Sequence, residues 1–553
     1  MTVALDGVVG FPEEYAQRYR DAGYWDDRLL IHHYEDAFAA YGERTAIIDG
    51  DISLTYRELR EQAVRIARNL YDLGLRPLDR VVVQLRNTAL FPAFYLGLQY
   101  IGAIPIMALP IHRYRELEQF VRLSGAVALA SPGAGKDVDY RELFDRIAAD
   151  QPSLARHFTE DVREECPDGE TSLPYLLTRE PTATESDIRA LHSTLDPDDP
   201  AVFQLSGGTT GIPKLIPRSH NDYAYNSHLA ASVCDIREGD VLLDVLPISH
   251  NLPLACPGMQ GFLFSGATVS LVPTARSEEV LARIAADRAT HIHLVPALLI
   301  KLTEALSRAD VDVSSLRVIQ SGGQRLQPET RVRAARLFAN ATIQENFGMA
   351  EGLLMFVRLD DPDDVRLETV GRPICPDDEV RLVDEEGRDV PDGEVGELWA
   401  RGPYTLRGYF RAEEHNRTAF SPDGFYMSGD LMRRHPSGNY IVAGRRKDLI
   451  NRGGEKISAE EIENLILAHP AVVLVAAVPM PDPVLGERTC ACVVLREGAT
   501  LDLPELIRFL EDFEVAKYKL PEALRVYDEL PLSPIGKVSK KDLVAELSAE
   551  LAV

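Results

Sequence analysis

The chain is 553 residues long, more than one hydrophobic core ordinarily supports, so two or more domains are expected. Its 45% hydrophobic and 26% charged residues are those of an ordinary globular protein and exclude a disordered chain. A formal net charge of −27 argues against a nucleic-acid or anionic-membrane partner, since such a surface repels phosphate, although local basic sites stay compatible with it.

The N-terminal run MTVALDGVVGFPEEYAQRYRD has neither the basic start nor the apolar core of a signal peptide. Cys166, Cys234, Cys256, Cys375, Cys490 and Cys492 form no C-x-x-C pair and no Cys/His ligand spacing, which reads as a reduced, cytosolic chain without structural zinc. From Phe91 to Ile111 there is no charge, as in a membrane span, yet Pro92, Pro105 and Pro110, with Gln99 and Gly102, divide the segment. A buried βαβ passage is expected instead, with strands at 81–85 and 104–107 around a helix at 88–100.

The apolar run 202–205 reads as a short buried strand, and Ser206 to Lys214, SGGTTGIPK, follows it. Glycines Gly207 and Gly208 expose backbone N–H groups, Ser206, Thr209 and Thr210 add hydroxyl donors, and Lys214 adds a positive charge, so phosphate is the suggested ligand. Ile212 and Pro213 separate the last glycine from the lysine, so the loop is not the G-x-x-x-x-G-K-[ST] phosphate loop. Strands are expected at 241–246, 268–272, 291–295 and 317–320, with helical segments such as 277–285 between them, which is an α/β pattern with mostly parallel sheets. From Glu379 the texture changes to closely spaced strands, 379–383 and 396–399, as in a small β subdomain. A polar stretch from Gly444 to Gly454 precedes a new helix–strand unit at 459–478. A domain boundary is expected in that polar stretch, leaving about a hundred residues as a separate C-terminal domain.

Several clusters have the composition of a binding site: Ser321-Gly322-Gly323 after a strand, Asn346-Phe347-Gly348-Met349-Ala350-Glu351-Gly352, Tyr426-Met-Ser-Gly-Asp430-Leu431, Gly444-Arg445-Arg446-Lys447-Asp448, and Pro531-Leu-Ser-Pro-Ile-Gly-Lys537. Taken singly, Glu351 and Asp430 read more readily as solvated or salt-bridged carboxylates, Phe347 as core, and Lys537 as one of a basic patch with Lys540 and Lys541. Their joint order along nearly the whole chain resembles the adenylate-forming superfamily of acyl-CoA synthetases, peptide-synthetase adenylation domains and luciferases. Phe11-Pro-Glu-Glu-Tyr15 with Tyr24-Trp25, His250-Asn251-Leu252-Pro-Leu254 and Phe347 to Leu353 look closest to the aryl-acid adenylating enzymes of siderophore pathways.

That resemblance implies ATP and Mg2+ as cofactors and an aromatic carboxylic acid as substrate. It implies that Ser206, Gly207, Gly208, Thr209, Thr210 and Lys214 wrap the β- and γ-phosphates. Phe347 flanks the adenine with Gly322 and Gly323 opposite, and Gln324, Asn346, Gly348, Met349, Ala350 and Ile441 complete the nucleotide contacts. Glu351 helps hold the metal, Asp430 accepts the ribose hydroxyls and Arg445 assists it. Lys537 and His250 are the catalytic pair, with the lysine ammonium bridging the substrate carboxylate and the α-phosphate. The resemblance also implies a large N-terminal domain over 1–444, a hinge at 445–448 and a small, mobile α+β domain over 449–553 that rotates after adenylation, with Lys447 matching the pivot.

The same resemblance places Asn251, Leu252, Cys256, Gly322 and Leu353 against the aryl acid. Cys256 stands where enzymes for 2,3-dihydroxybenzoate often carry serine, and Leu353 where salicylate enzymes tend to carry leucine, so salicylate is the expected acid. The acceptor is expected to be the phosphopantetheine arm of an aryl carrier protein met in trans, with coenzyme A as the alternative. The competing readings are a 2,3-dihydroxybenzoate ligase, a non-catalytic nucleotide-binding paralogue and a luciferase-like oxygenase. Intact Lys537, Glu351 and Asp430 argue against the paralogue.

Overall fold

The computed structural model describes residues 5–133, 138–162, 170–206, 213–322, 326, 328–452, 455–482, 484–513, 516–532 and 537–550. Among these residues the chain builds four sheets. The expected βαβ passage is present: strands Arg80–Val83 and Ile104–Met107 pair in parallel around the helix Leu90–Ile101. The helix starts two residues later than expected, because the Ala89 N–H donates to Asp49 Oδ2 at 2.8 Å and holds the preceding turn. Every residue from Phe91 to Ile101 is buried. A helix enclosed on all sides needs no polar face, which explains the missing charges without a bilayer. No described helix is long and apolar enough to cross a membrane. Truncating a fully buried ring such as Phe94 to alanine would cost about 3–5 kcal/mol.

That passage belongs to a seven-stranded sheet, ordered Glu170–Ser172, Arg156–Thr159, Ala128–Ser131, Arg80–Val83, Ile104–Met107, Pro200–Leu205 and Leu215–Ser219. Its last strand alone is antiparallel, folding back on Pro200–Leu205 so that both ends of the Ser206–Lys214 loop meet at one edge. A nine-stranded sheet holds six neighbouring parallel strands: Thr342–Gly348, Val318–Gly322, His291–Leu294, Val241–Asp244, Thr268–Leu271 and Thr45–Asp49. One continuous apolar cluster, with Ile47, Val81, Phe94, Leu242 and Phe262, joins the two sheets.

Glu379–Val383, Gly396–Arg401, Tyr426–Arg434 and Tyr440–Arg445 then form an antiparallel four-stranded sheet, the expected β subdomain. Beyond Arg446–Asp448, a single 3-10 turn, a mixed sheet and the helices Ala459–Leu467 and Leu503–Glu511 enclose a core of their own around Ile457, Ile462, Val475 and Leu506, while the helix Lys540–Glu550 packs Leu543 and Leu547 with Val478 and Met480. Each side of this short polar link thus has a core of its own, as separate domains do.

Candidate active site

In an open parallel sheet, ligands collect at the carboxyl ends of the strands. Here the neighbouring strands Thr342–Gly348 and Val318–Gly322 end on Asn346-Phe347-Gly348 and on Gly322, while Val241–Asp244 runs into the turn bearing His250 and Asn251. Gly322 pairs with Asn346 across the strands, and a Cβ on Gly322 would lie 2.2 Å from Asn346 Oδ1. A side chain at 322 would therefore push the Asn346 amide from its place. Asn346 Nδ2 is buried with no hydrogen-bond partner among the described residues, a donor left over for a ligand. Phe347 is half-buried beside Gly348, which is exposed at the strand end, while Met349 is buried in the apolar cluster below.

Glu351 is buried, and its side-chain partner among the described residues is a neutral phenol, Tyr409 OH, which donates to Oε1 at 2.8 Å. Burial pushes this carboxyl up, with Tyr409 and Arg445 acting in the opposite sense. A desolvated carboxylate partnered mainly by a phenol is a group that a divalent cation would stabilise, so the residue fits Mg2+ with the remaining ligands drawn from phosphate and water. Lys214 Nζ lies 5.7 Å from the centroid of the same Tyr409 ring. Lys214 N donates to Ser206 Oγ at 2.9 Å and Ser206 N to Lys214 O at 3.0 Å, pinning the mouth of the loop. Gly207, Gly208, Thr209 and Thr210 lie outside the described residues, as do Gly323 and Gln324. Below this region the buried Arg218 donates from Nη1 to Ala350 O at 3.2 Å and from Nε to Asp222 at 2.8 Å.

The four-stranded sheet contributes Asp430 and Arg445, opposite each other in register, with Arg445 Nε donating to Asp430 Oδ1 at 2.6 Å. Burial pushes the Asp430 carboxyl up, and Arg445 opposes it. Ile441 is buried on the same strand as Arg445. Lys537 comes from the far end of the chain into the field of these groups. Its ammonium is pushed down to about 8, first by desolvation, then by Arg445 and Lys447, with Asp430 opposing. Lys540 Nζ meets Glu463 Oε1 at 2.7 Å and anchors the segment that follows. His250 is pushed down to about 4 by desolvation and by Lys537, so it is a neutral imidazole at physiological pH. Its Nδ1 accepts from Leu252 N at 3.4 Å, which leaves the proton on Nε2. Lys447 is lowered by burial and sits in the turn Arg446–Asp448.

The aryl-acid candidates divide. Asn251 and Cys256 meet: Asn251 Nδ2 donates to Cys256 Sγ at 3.2 Å, Asn226 Nδ2 donates to the same sulfur at 3.3 Å, and Tyr223 OH donates to Asn251 Oδ1 at 2.9 Å. Burial pushes the thiol up to about 11, so it is un-ionised. Leu252 is half-buried beside them. Leu353 is buried in a different cluster, with Ile216, Met349 and Met355, and is not packed into the one that holds Cys256. Tyr409, Tyr223, Asn226 and Arg218 escaped the reading of the sequence. They lie outside the motifs, Tyr409 being 58 residues from its partner Glu351, and no local pattern marks them.

With this geometry in place, known proteins give the family. Residues 34–410 match the model of the AMP-binding enzymes, and residues 461–537 match the AMP-binding enzyme C-terminal domain. A salicylyl-CoA synthase / salicylate adenylyltransferase of a Streptomyces species is 46% identical, over 97% of this chain and 97% of its own length. A salicyl-AMP ligase / salicyl-S-ArCP synthetase of Mycobacterium tuberculosis is 42% identical over 98% of this chain and 95% of its own. The apo structure of Mycobacterium smegmatis MbtA, 41% identical, superposes with a TM-score of 0.73 and covers 98% of this chain and 99% of its own. The chain belongs to the AMP-binding enzymes, with the adenylate-forming fold, and among them to the ligases that adenylate aryl acids with ATP.

Proposed function

We propose that this ligase activates salicylate to salicyl-AMP and passes the acyl group to the phosphopantetheine thiol of an aryl carrier protein. What supports the choice of acid is the state of Cys256. Its sulfur already accepts from two amide donors, and its own proton faces Asn226 Oδ1 only at a long 3.8 Å. A ring hydroxyl at that depth would lack a good partner, whereas salicylate has none to place there. Both curated relatives described above carry salicylate in their names. The carrier reading draws on the second of them.

In the first half-reaction a carboxylate oxygen of the acid attacks the α-phosphorus of ATP. A new O–P bond forms, the bond from the α-phosphorus to the bridging oxygen breaks, and pyrophosphate leaves with the electron pair. Attack on so negative a target needs charge neutralised and atoms aligned. The Lys537 ammonium lies between carboxylate and α-phosphate in this reading, Asp430 takes the ribose hydroxyls, and Asn346 and Phe347 hold the adenine. Mg2+, held by Glu351 when bound, supplies charge neutralisation on the phosphates. His250 acts as a neutral Nε2–H donor beside the acid. For the transfer step the C-terminal domain turns about Lys447, the thiolate attacks the carbonyl, and AMP departs.

A pyrophosphate-exchange panel of benzoate, salicylate, 3-hydroxybenzoate and 2,3-dihydroxybenzoate tests the choice of acid. Salicylate should give the highest kcat/KM, and equal or better use of 2,3-dihydroxybenzoate would overturn it.

A further inference from the structure

One side chain from beyond the turn Arg446–Asp448 reaches back to the core. Ser458 ends the strand Glu455–Ser458 and caps the helix Ala459–Leu467, its Oγ accepting from Glu461 N at 3.3 Å. The same Oγ donates to the carbonyl of Ala443 at 2.7 Å, on the other side of the turn. A hydroxyl has one proton to give and lone pairs to receive, so it serves both partners at once. The neighbouring Gly444 has φ +131°, and a Cβ there would lie 2.9 Å from Ser458 Oγ. The core strand is thus shaped to let this hydroxyl in.

We propose that Ser458 is a positioning residue for adenylation: its hydroxyl latches the C-terminal domain to the core in the arrangement that brings Lys537 into the field of Asp430, and it lets go when the domain turns for acyl transfer. The assignment rests on the proposed function, in which Lys537 carries the first half-reaction and the domain moves for the second. A single hydrogen bond at a half-buried site suits a reversible latch. On release, water reaches both the hydroxyl and the Ala443 carbonyl, so neither is stranded, and the net strength of such a bond is modest. The cap inside the C-terminal domain travels with it and is unaffected.

Replacing the hydroxyl by a carboxylate separates the two roles. Aspartate is as good a cap as serine, but it has no proton for Ala443 O. Ser458→Asp should therefore slow ATP–pyrophosphate exchange about three- to tenfold, the worth of one hydrogen bond. ATP and acid dissociation constants and the melting temperature should stay at wild-type values. Thioester formation from supplied salicyl-AMP should proceed at the wild-type rate or faster, and Ser458→Thr, which keeps donor and acceptor, should behave as wild type. Wild-type exchange in Ser458→Asp would overturn the latch, as would equal loss of both half-reactions. Lys537→Ala in the same assays distinguishes the failures. If it retains exchange, the adenylation reading falls and the latch with it; if it loses exchange while Ser458→Asp does not, only the latch falls.

Discussion

Lys537→Ala is the sharpest test of the site. The ammonium stands in the combined field of Asp430, Arg445 and Lys447, and the positive neighbours together with desolvation hold it at about 8. Removing one preorganised donor from a site where charge builds costs about 2.7–4 kcal/mol, or about a hundred- to a thousandfold in rate. ATP affinity should change far less, because Asp430, Asn346 and Phe347 belong to the core and remain. The same group sets a pH dependence whose sign is fixed. Protonated Lys537 is the active form, so kcat/KM for adenylation should be full below pH 7 and fall as pH rises through about 8. Between pH 7 and 9 the protonated fraction drops about tenfold. Bound ATP, being anionic, holds the proton on more tightly, so the limb in kcat should lie at higher pH than the limb in kcat/KM. Lys537→Arg, which stays charged, should lose the alkaline limb even if it is slow. Pyrophosphate exchange by Lys537→Ala within about threefold of wild type, or an unchanged alkaline limb in Lys537→Arg, would refute the assignment.

Lys447→Pro should preserve salicyl-AMP formation and abolish thioester transfer, since proline fixes φ at the proposed pivot; equal impairment in separately measured half-reactions would remove the hinge. Cys256→Ser should shift the ratio of kcat/KM toward 2,3-dihydroxybenzoate by about tenfold, because a hydroxyl held by Asn251 and Asn226 can pair with a second ring hydroxyl; an unmoved ratio would take Cys256 out of the pocket. Gly322→Ala should fold, with overpacking against Asn346 costing about 1–3 kcal/mol, and should weaken ATP binding measured by calorimetry; wild-type ATP affinity would show that this contact does not shape the nucleotide site.

The features that local chemistry controls were legible in the sequence. The βαβ passage at 80–107 followed from uncharged apolar runs broken by proline, the change to a β subdomain at Glu379 from strand spacing, and the C-terminal unit from a polar stretch between two apolar patterns. The order of Ser206–Lys214, Asn346–Glu351, Asp430, Arg445 and Lys537 carried the family. Such signals repeat every two to four residues or lie within one turn, so a single sequence holds them. What only the tertiary structure decided is which distant groups meet and how strongly they are desolvated. Tyr409 reaches Glu351, Asn226 and Asn251 share the sulfur of Cys256, Leu353 packs in a cluster apart from it, and Ser458 bridges to Ala443. The same is true of protonation: a histidine in a turn between Pro247 and Pro253 and a lysine near two others carry no mark of being pushed to about 4 and about 8. Desolvation and the field of opposed charges are sums over every element packed around a group, and those sums exist only once the sheets have closed on one another.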